Sequence, residues 1–296
     1  MTCPVCKSAR FGRYYTGITS WEYPGRFNFV CCRHCGLILQ HPRVPQDRVG
    51  QYYNPQSYWG EVHDAWQEYA PLYRAIFKSR SSAGSILDVG SGLGLFLSEF
   101  KKRGWQTLGT EISPDMVRHA RRTYGLKILQ GDLLKLRLTG QFDVICLNNV
   151  LEHLYYPRQT LVKIHSLLRP GGMLVIVVPN IDSLGHAVFR RRWYHLQPGR
   201  HVYHFSPATI TQLLESTGFH VAPMDHSYWR HNYYSWFCNF RYNYSLRFTV
   251  NRGTPVAHSS PGVKIGKVIV PILAGLGAML GQITRHGEVI TIYCHR

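Results

Sequence analysis

Acidic residues are scarce in this chain of 296: 16 Asp and Glu stand against 34 Lys and Arg, a formal charge of +18 at pH 7. That imbalance argues against a cationic partner and favours an anionic one, such as nucleic acid, a phosphorylated metabolite or an acidic membrane surface. No long basic run decides among these. "KKRGW", "RHARR" and "FRRRW" are separate short clusters, each readable as a solvated helix face. No apolar stretch follows Met1, so no secretory leader is expected, and a cytoplasmic, reducing location follows. The apolar run from Val268 to Gly281 is too short for a bilayer span and contains Pro271. It reads as a buried or an interfacial helix, leaving open a peripheral contact at the inner face of the membrane. Internal repeats and low-complexity tracts are also lacking.

Cysteine is present, eight times, and in a reducing location it reads as metal ligand or buried thiol before disulfide. Cys3 and Cys6 in "CPVCK", with Cys32 and Cys35 in "CRHCG", give C-x2-C-x25-C-x2-C. Two-residue spacing lets both sulfurs of a turn face one ion, and four thiolates suit tetrahedral zinc with no position left for water. The ion is therefore expected to be structural. Cys31 and His34 stand beside the second pair and could replace a ligand; redox pairs or idle thiols are the alternative.

The expected organisation is a zinc-ribbon-like module at 1–45, a helical connector at 46–84, a core at 85–225, an aromatic and apolar insertion at 226–285, and a last strand at 286–296. Within the core, strand-like and helix-like segments alternate: "SILDVG", "LGLFLSEFKKRG", "WQTLGTEI", "SPDMVRHARRTYG", "LKILQGD", "FDVICLNN", "YPRQTLVKIHSLLRPGG" and "MLVIVVPN". Ser113 stands where a helix N-cap belongs, with Pro114 in the first turn. Such alternation predicts an α/β, doubly wound, mostly parallel sheet with helices on both faces.

Ligands in such sheets bind beyond the carboxyl ends of the strands. Those ends hold Asp88, Glu111, Asp132 and "NNVLEH". A dinucleotide fingerprint fails, because the position after Gly90 and Gly92 that should be glycine or alanine is Leu95. Asp88 would also repel a pyrophosphate, whereas it suits an ammonium group.

The stretch "DVGSGLG" resembles the D-x-G-x-G-x-G motif of class I S-adenosylmethionine-dependent methyltransferases, matched at Asp88, Gly90, Gly92 and Gly94. The resemblance runs from about Ser85 to Gly218. It implies that S-adenosylmethionine lies against the glycine turn, that Glu111 receives the ribose hydroxyls, that Asp132 meets the adenine amino group, and that Asn148 lies in the same cofactor site. Each residue also has a plain reading, as turn former or helix cap.

Further along, Glu152 and His153 match an E-H pair of that family. Ubiquinone-type O-methyltransferases are similar there, with E-x-x-E-H holding a divalent ion. Asn149 replaces the first carboxylate, so magnesium assistance is weakly supported, and capping of the next helix is the competing role. "HVYHFSPATITQLLESTGF" resembles methyltransferases of small molecules, sugars and lipid-linked intermediates, which places His201 and His204 beside the acceptor. An acceptor hydroxyl must lose its proton as it attacks, and a histidine suits that task. His201 is the expected base, with His153 and His204 behind it; for His204 a backbone hydrogen bond near Ser206 is the alternative. O-methylation of a small-molecule, sugar or lipid-linked acceptor is thus the leading function. An RNA methyltransferase using the basic surface and zinc module is second, though "NNVLEH" is not the [D/N]-P-P-[Y/F] turn of base-amino methyltransferases. A non-catalytic cofactor-binding protein is third.

Overall fold

The computed structural model describes residues 1–20, 25–46, 48, 65–80, 82–243 and 261–296. The chain opens with an antiparallel meander of β1 (Phe11–Thr19), β2 (Arg26–Cys32) and β3 (Ile38–Gln40). Helix α1 (Ala65–Lys78) is the described part of the connector, and residues 49–64 of that stretch lie outside the described residues. Tyr73 and Ile76 of α1 are fully buried, and the Tyr73 hydroxyl donates to the Phe96 carbonyl at 3.1 Å. These rings are packing groups.

The core follows as β4 (Ser85–Val89), α2 (Leu95–Lys102), β5 (Gln106–Glu111), α3 (Pro114–Tyr124), β6 (Ile128–Gln130), β7 (Phe142–Asn148), α4 (Pro157–Leu167) and β8 (Leu168–Pro179). Ser113 does cap α3, its hydroxyl accepting from Met116 N, and Gly125 closes the helix at φ 60. After β8 come α5 (Leu184–Phe189), β9 (Tyr203–His204), α6 (Pro207–Glu215) and β10 (His220–Val221). The helices α7 (Trp229–Asn243) and α8 (Pro261–Ile283) and the strand β11 (Val289–His295) complete the chain. Residues 244–260 of the expected insertion are outside the described residues.

The main sheet has the order β10-β11-β8-β7-β4-β5-β6. Strands β8, β7, β4, β5 and β6 are parallel, while β11 and β10 run antiparallel at one edge. Strand order reverses between β4 and β7, which opens a crevice at their carboxyl ends. At the opposite ends Asp143 ties the sheet together, accepting from Ser85 N at 2.7 Å and pairing with Arg80 and Arg169.

Side-chain alternation along the strands feeds two cores. Ile86, Val144, Val175 and Val177 face α1, α2 and α3 with Tyr73, Phe96, Phe100 and Val117. Leu87, Ile145, Leu147 and Ile176 face α4, α6 and the N-terminal meander with Leu161, Ile164, Leu213, Leu37 and Leu39. A third cluster joins the α7–α8 pair to the meander through Trp236, Ala274, Ala278, Phe29 and Trp193.

Two differences from the expected layout have physical causes. The N-terminal module at 1–45 does not keep its own sheet: β3 pairs with β9, Ile38 opposite His204 and Leu39 opposite Tyr203, because an open strand edge leaves unpaired backbone groups. The "RPGG" turn expected after α4 is absorbed into β8, where the pairing slips between Phe142 and Val144 to accommodate it. The apolar run through Pro271 is one continuous helix, and among the described residues no helix is long and apolar enough to cross a membrane.

Candidate functional site

The loop after β4 is pinned by two amides, Gly90 N and Ser91 N, which both donate to the Thr110 carbonyl at 2.8 and 2.9 Å. Gly90 and Gly94 have φ of 72° and 82°, and a Cβ on either would stand 2.7 Å from Val150 or from Ala120 and Leu126. Only glycine fits there. Gly92, at φ 52°, faces open space instead, and this open side is where a ligand can approach the backbone.

Two carboxyl groups stand near that loop, one of them bonded to it. Glu111, ending β5, accepts from Gly92 N at 2.9 Å and from Ser113 N at 2.8 Å, so both oxygens are fixed toward the loop. It does not cap α3; Ser113 does. Asp88 is 3% exposed, and burial, then the neighbouring Glu111, raises its proton affinity well above the carboxylate range. A cationic group arriving there would relieve that penalty. Asp132 begins a turn, its Oδ1 accepting from Leu134 N at 2.9 Å. Asn148 ends β7, and its Oδ1 accepts from Asn149 Nδ2 at 3.1 Å. Asp88, Glu111, Asp132 and Asn148 all stand at the carboxyl ends of the parallel strands.

Glu152 and His153 lie on a single 3₁₀ turn, Leu151–His153, just past β7. Val202 N donates to the Glu152 carbonyl at 2.8 Å and thereby brings the segment before β9 against that turn. His153 Nδ1 meets the Arg200 carbonyl at 3.1 Å, and His201 Nδ1 meets the His195 carbonyl at 2.7 Å. A carbonyl can only accept, so Nδ1 carries the hydrogen in both rings and Nε2 presents a lone pair. Both Nε2 atoms face the same oxygen, Glu152 Oε1, at 3.9 and 4.0 Å.

Neither Glu152 carboxylate oxygen has a hydrogen-bond partner, though both are buried. It therefore does not cap α4. Burial, opposed by its own backbone amide and by Arg200, raises Glu152 to about 8. Burial and then the Arg200 charge lower His153 to about 3. Burial, with His153 next, also takes His201 well below the ordinary histidine value. His204 is apart from the trio, its ring 6.1 Å from that of His201 and 5.2 Å from that of Phe29. Its nitrogens have no hydrogen-bond partner, so it does not bond the backbone near Ser206; the Ser206–Thr209 capping box serves α6 alone.

Arg200 and the His195 carbonyl are parts of this cluster that the sequence does not announce, since only the folding of 195–202 against the 3₁₀ turn makes them neighbours. A separate cleft of about 620 Å³ opens between the meander and the segment after β8, walled by Tyr14, Ile38, Asp182, His186, Ser206 and His286.

In the N-terminal module the four expected sulfurs converge. Cys3 lies 3.5 Å from Cys35 and Cys6 lies 3.5 Å from Cys32, and all four fall within 4.8 Å of one another. Cys31 turns away toward the Gly36 carbonyl, so it does not join them. Burial pushes the Cys32 thiol up, but amide hydrogen bonds from Cys35 and His34 outweigh that and bring it to about 7. The donor set and spacing fit a tetrahedral zinc ion.

Residues 58–223 match the methyltransferase-domain family. A "Probable S-adenosylmethionine-dependent methyltransferase" of Mycolicibacterium smegmatis is 26% identical over 175 residues, covering 56% of this chain and 61% of that protein. The dTDP-3-amino-3,4,6-trideoxy-alpha-D-glucopyranose N,N-dimethyltransferase of Streptomyces venezuelae is 31% identical over 124 residues, 40% of this chain and 52% of that protein. The chain thus spans little more than half the length of these curated relatives. In fold it is similar to an S-adenosylmethionine-dependent methyltransferase from Mesorhizobium loti, with a TM-score of 0.51 over 77% of this chain and 98% of that one at 17% identity. With the family match covering more than half of its length and the glycine loop and strand-end carboxylates in place, the chain belongs to the methyltransferase-domain family.

Proposed function

We propose that the protein transfers a methyl group from S-adenosylmethionine to a hydroxyl of a small, sugar-like acceptor. The observation that carries this reading is Glu111 bonded to Gly92 N on the open glycine loop, with the buried Asp88 near it. Two carboxyl groups there disfavour a diphosphate and suit a cofactor with an ammonium, a sulfonium and ribose hydroxyls, whose cationic part would hold Asp88 ionised. In this reading Asp88 faces the amino acid part, Glu111 the ribose, Asp132 and Asn148 the adenine side, and Gly90, Gly92 and Gly94 the backbone approach.

The acceptor proton passes to the cluster of Glu152, His153 and His201. His201 is the base expected from the sequence, but a buried imidazole with depressed basicity is a weak proton acceptor. Glu152, raised to about 8 by burial, is the member of the cluster whose proton affinity lies nearest neutral pH, and it serves as acceptor in its ionised form, with the two histidines beside it. The Streptomyces relative supports a sugar acceptor. The four cysteines hold a structural zinc. The outward aliphatic face of α8, with Ile269, Ile272, Leu276 and Leu280 exposed, would suit an acceptor presented on a lipid.

Titration calorimetry with S-adenosylmethionine and with a dinucleotide tests the cofactor reading. Binding of the first, and its loss in Asp88→Ala, is expected; binding of the dinucleotide alone refutes the reading. Methyl-labelled cofactor offered with a panel of nucleotide sugars, simple sugars and RNA then reports the acceptor, label entering RNA alone being the result against a sugar.

A further inference from the structure

We propose that Glu152, His153 and His201 form a second metal site, distinct from the cysteine cluster, that takes a first-row divalent transition ion. Three observations carry it. The donor atoms of these three residues lie within 4.8 Å of one another, and both imidazoles aim an Nε2 lone pair at one carboxylate oxygen, at 3.9 and 4.0 Å. Each ring is oriented from behind by a backbone carbonyl, Arg200 O on His153 and His195 O on His201, which is the arrangement that fixes tautomer and direction in metal-binding histidines. The Glu152 carboxylate is buried with no hydrogen-bond partner on either oxygen, so the charge of Arg200 nearby leaves its lone pairs open to a ligand.

The chemistry of the donors selects the ion. Two imidazoles and one carboxylate form the facial set that suits zinc, iron, manganese or cobalt, whereas magnesium prefers oxygen ligands. The magnesium pattern raised by the E-H pair lacks its first carboxylate, Asn149 standing there, and in this donor set the third group comes instead from His201, 48 positions beyond His153 in the chain. Bonds of about 2.1 Å to a tetrahedral ion require donors about 3.4 Å apart, so binding draws each imidazole roughly half an ångström closer to Glu152 Oε1. Arg200 adds a positive charge nearby, which an ion must overcome; nitrogen donors with high affinity for transition metals are the ones able to do so. His153 keeps 15% of its side chain exposed while the other two are closed in, so it stands at the mouth, and three protein ligands leave coordination positions open for an outside oxygen. With the ion in place Glu152 is a ligand and no longer the proton acceptor, and the ion itself would acidify a bound hydroxyl. That consequence rests on the proposed reaction, whereas metal binding itself does not.

The test is metal counting on the intact chain. Protein stripped with chelator and reloaded with zinc, or with cobalt or manganese, is expected to hold one ion more than the cysteine cluster accounts for. Cobalt at this site gives visible d–d absorption without the thiolate charge-transfer bands of the cysteine site. His153→Ala with His201→Ala, or the near-isosteric Glu152→Gln alone, should lose that ion and that absorption while Cys35→Ser loses the other. Calorimetric binding of S-adenosylmethionine should survive in the Glu152→Gln and double-histidine variants, which separates loss of the metal from failure of the cofactor reading. Wild-type protein that takes up no ion beyond the cysteine site at millimolar free metal overturns the proposal. So does a second ion that persists in folded, cofactor-binding Glu152→Gln and double-histidine variants.

Discussion

At the scale of single residues the site is made by carboxylates whose surroundings differ. Glu111 is held by two amides, Gly92 N and Ser113 N. Replacing it with Gln puts an NH2 against one of those N–H donors and, in the proposed cofactor site, removes a charged acceptor for the ribose. Hydrogen bonds to charged groups contribute about 1.5–3 kcal/mol each, so Glu111→Gln is expected to weaken S-adenosylmethionine binding by roughly ten- to a hundredfold in calorimetry. An unchanged affinity would remove Glu111 from the cofactor site. Glu288 is a carboxyl of the opposite kind, fully buried beside β11, accepting from Gly185 N and Trp193 Nε1 at 2.7 Å each. Burial, opposed by those hydrogen bonds, raises it from 4.5 to about 7. The native state therefore binds this proton more tightly than the unfolded chain does. Its contribution to stability is complete below pH 4.5 and falls away as pH rises through about 7, by an amount on the order of 3 kcal/mol. Denaturant unfolding of wild type and Glu288→Gln at pH 5, 6, 7 and 8 should show the gap between them narrowing steadily in that direction. A pH-independent gap would mean that Glu288 does not titrate in this range.

At the scale of elements, the parallel core could be read directly from the chain. Glycine turns, the Ser113 cap and alternating apolar segments are local signals, and they place Asp88, Glu111, Asp132 and Asn148 at strand ends before any tertiary contact is known. The Glu152–His153–His201 cluster was legible only as an E-H pair and a distant histidine, because its assembly depends on Val202 N reaching the Glu152 carbonyl, a contact that no periodicity encodes. Helix α8 shows a different limit. Periodicity groups residues into faces but does not say which face is inward, and here the small residues Ala274, Gly277 and Ala278 are buried while Ile269, Ile272, Leu276 and Ile283 are exposed. The reason is Trp236 on α7, whose indole occupies the space where a Gly277 Cβ would stand. Two glycines of one helix should then respond with opposite sign. Gly275→Ala meets nothing within 4 Å and should stabilise by up to about 1 kcal/mol through helix propensity. Gly277→Ala should destabilise by about 1–3 kcal/mol by overpacking against Trp236. Thermal unfolding of both variants decides it, and equal stabilisation would refute the packing of α7 on α8.

At the scale of the whole molecule, the cysteine module and the methyltransferase core are mechanically one object. Arg158 of α4 grips the first cysteine turn, donating to the Pro4 and Val5 carbonyls at 2.8 Å each. Gln40, ending β3, donates its amide to the Val202 carbonyl at 2.9 Å and accepts from Gly199 N at 2.7 Å. The strand that follows pairs Ile38 with His204. Arg200 and His201 are therefore held between Gly199 and Val202, both of them tied to a strand whose own position depends on the sulfur cluster. The cofactor loop has no such dependence, since it is pinned by Thr110 and Glu111 on the far side of β4. Loss of a cysteine from the proposed zinc site should consequently divide the two halves of the proposed catalytic site. In Cys35→Ser the meander loosens, Gln40 releases the 199–202 segment, and the imidazoles lose their alignment with Glu152. Affinity for S-adenosylmethionine is expected to stay within about threefold of wild type, while turnover of the acceptor falls about a hundredfold, the scale of an ångström misplacement at a reacting group. Calorimetry for the cofactor, metal analysis for the zinc and single-turnover methyl transfer measure the three quantities separately. A zinc-depleted Cys35→Ser protein that still methylates at the wild-type rate would show that the module is attached to the site without positioning it.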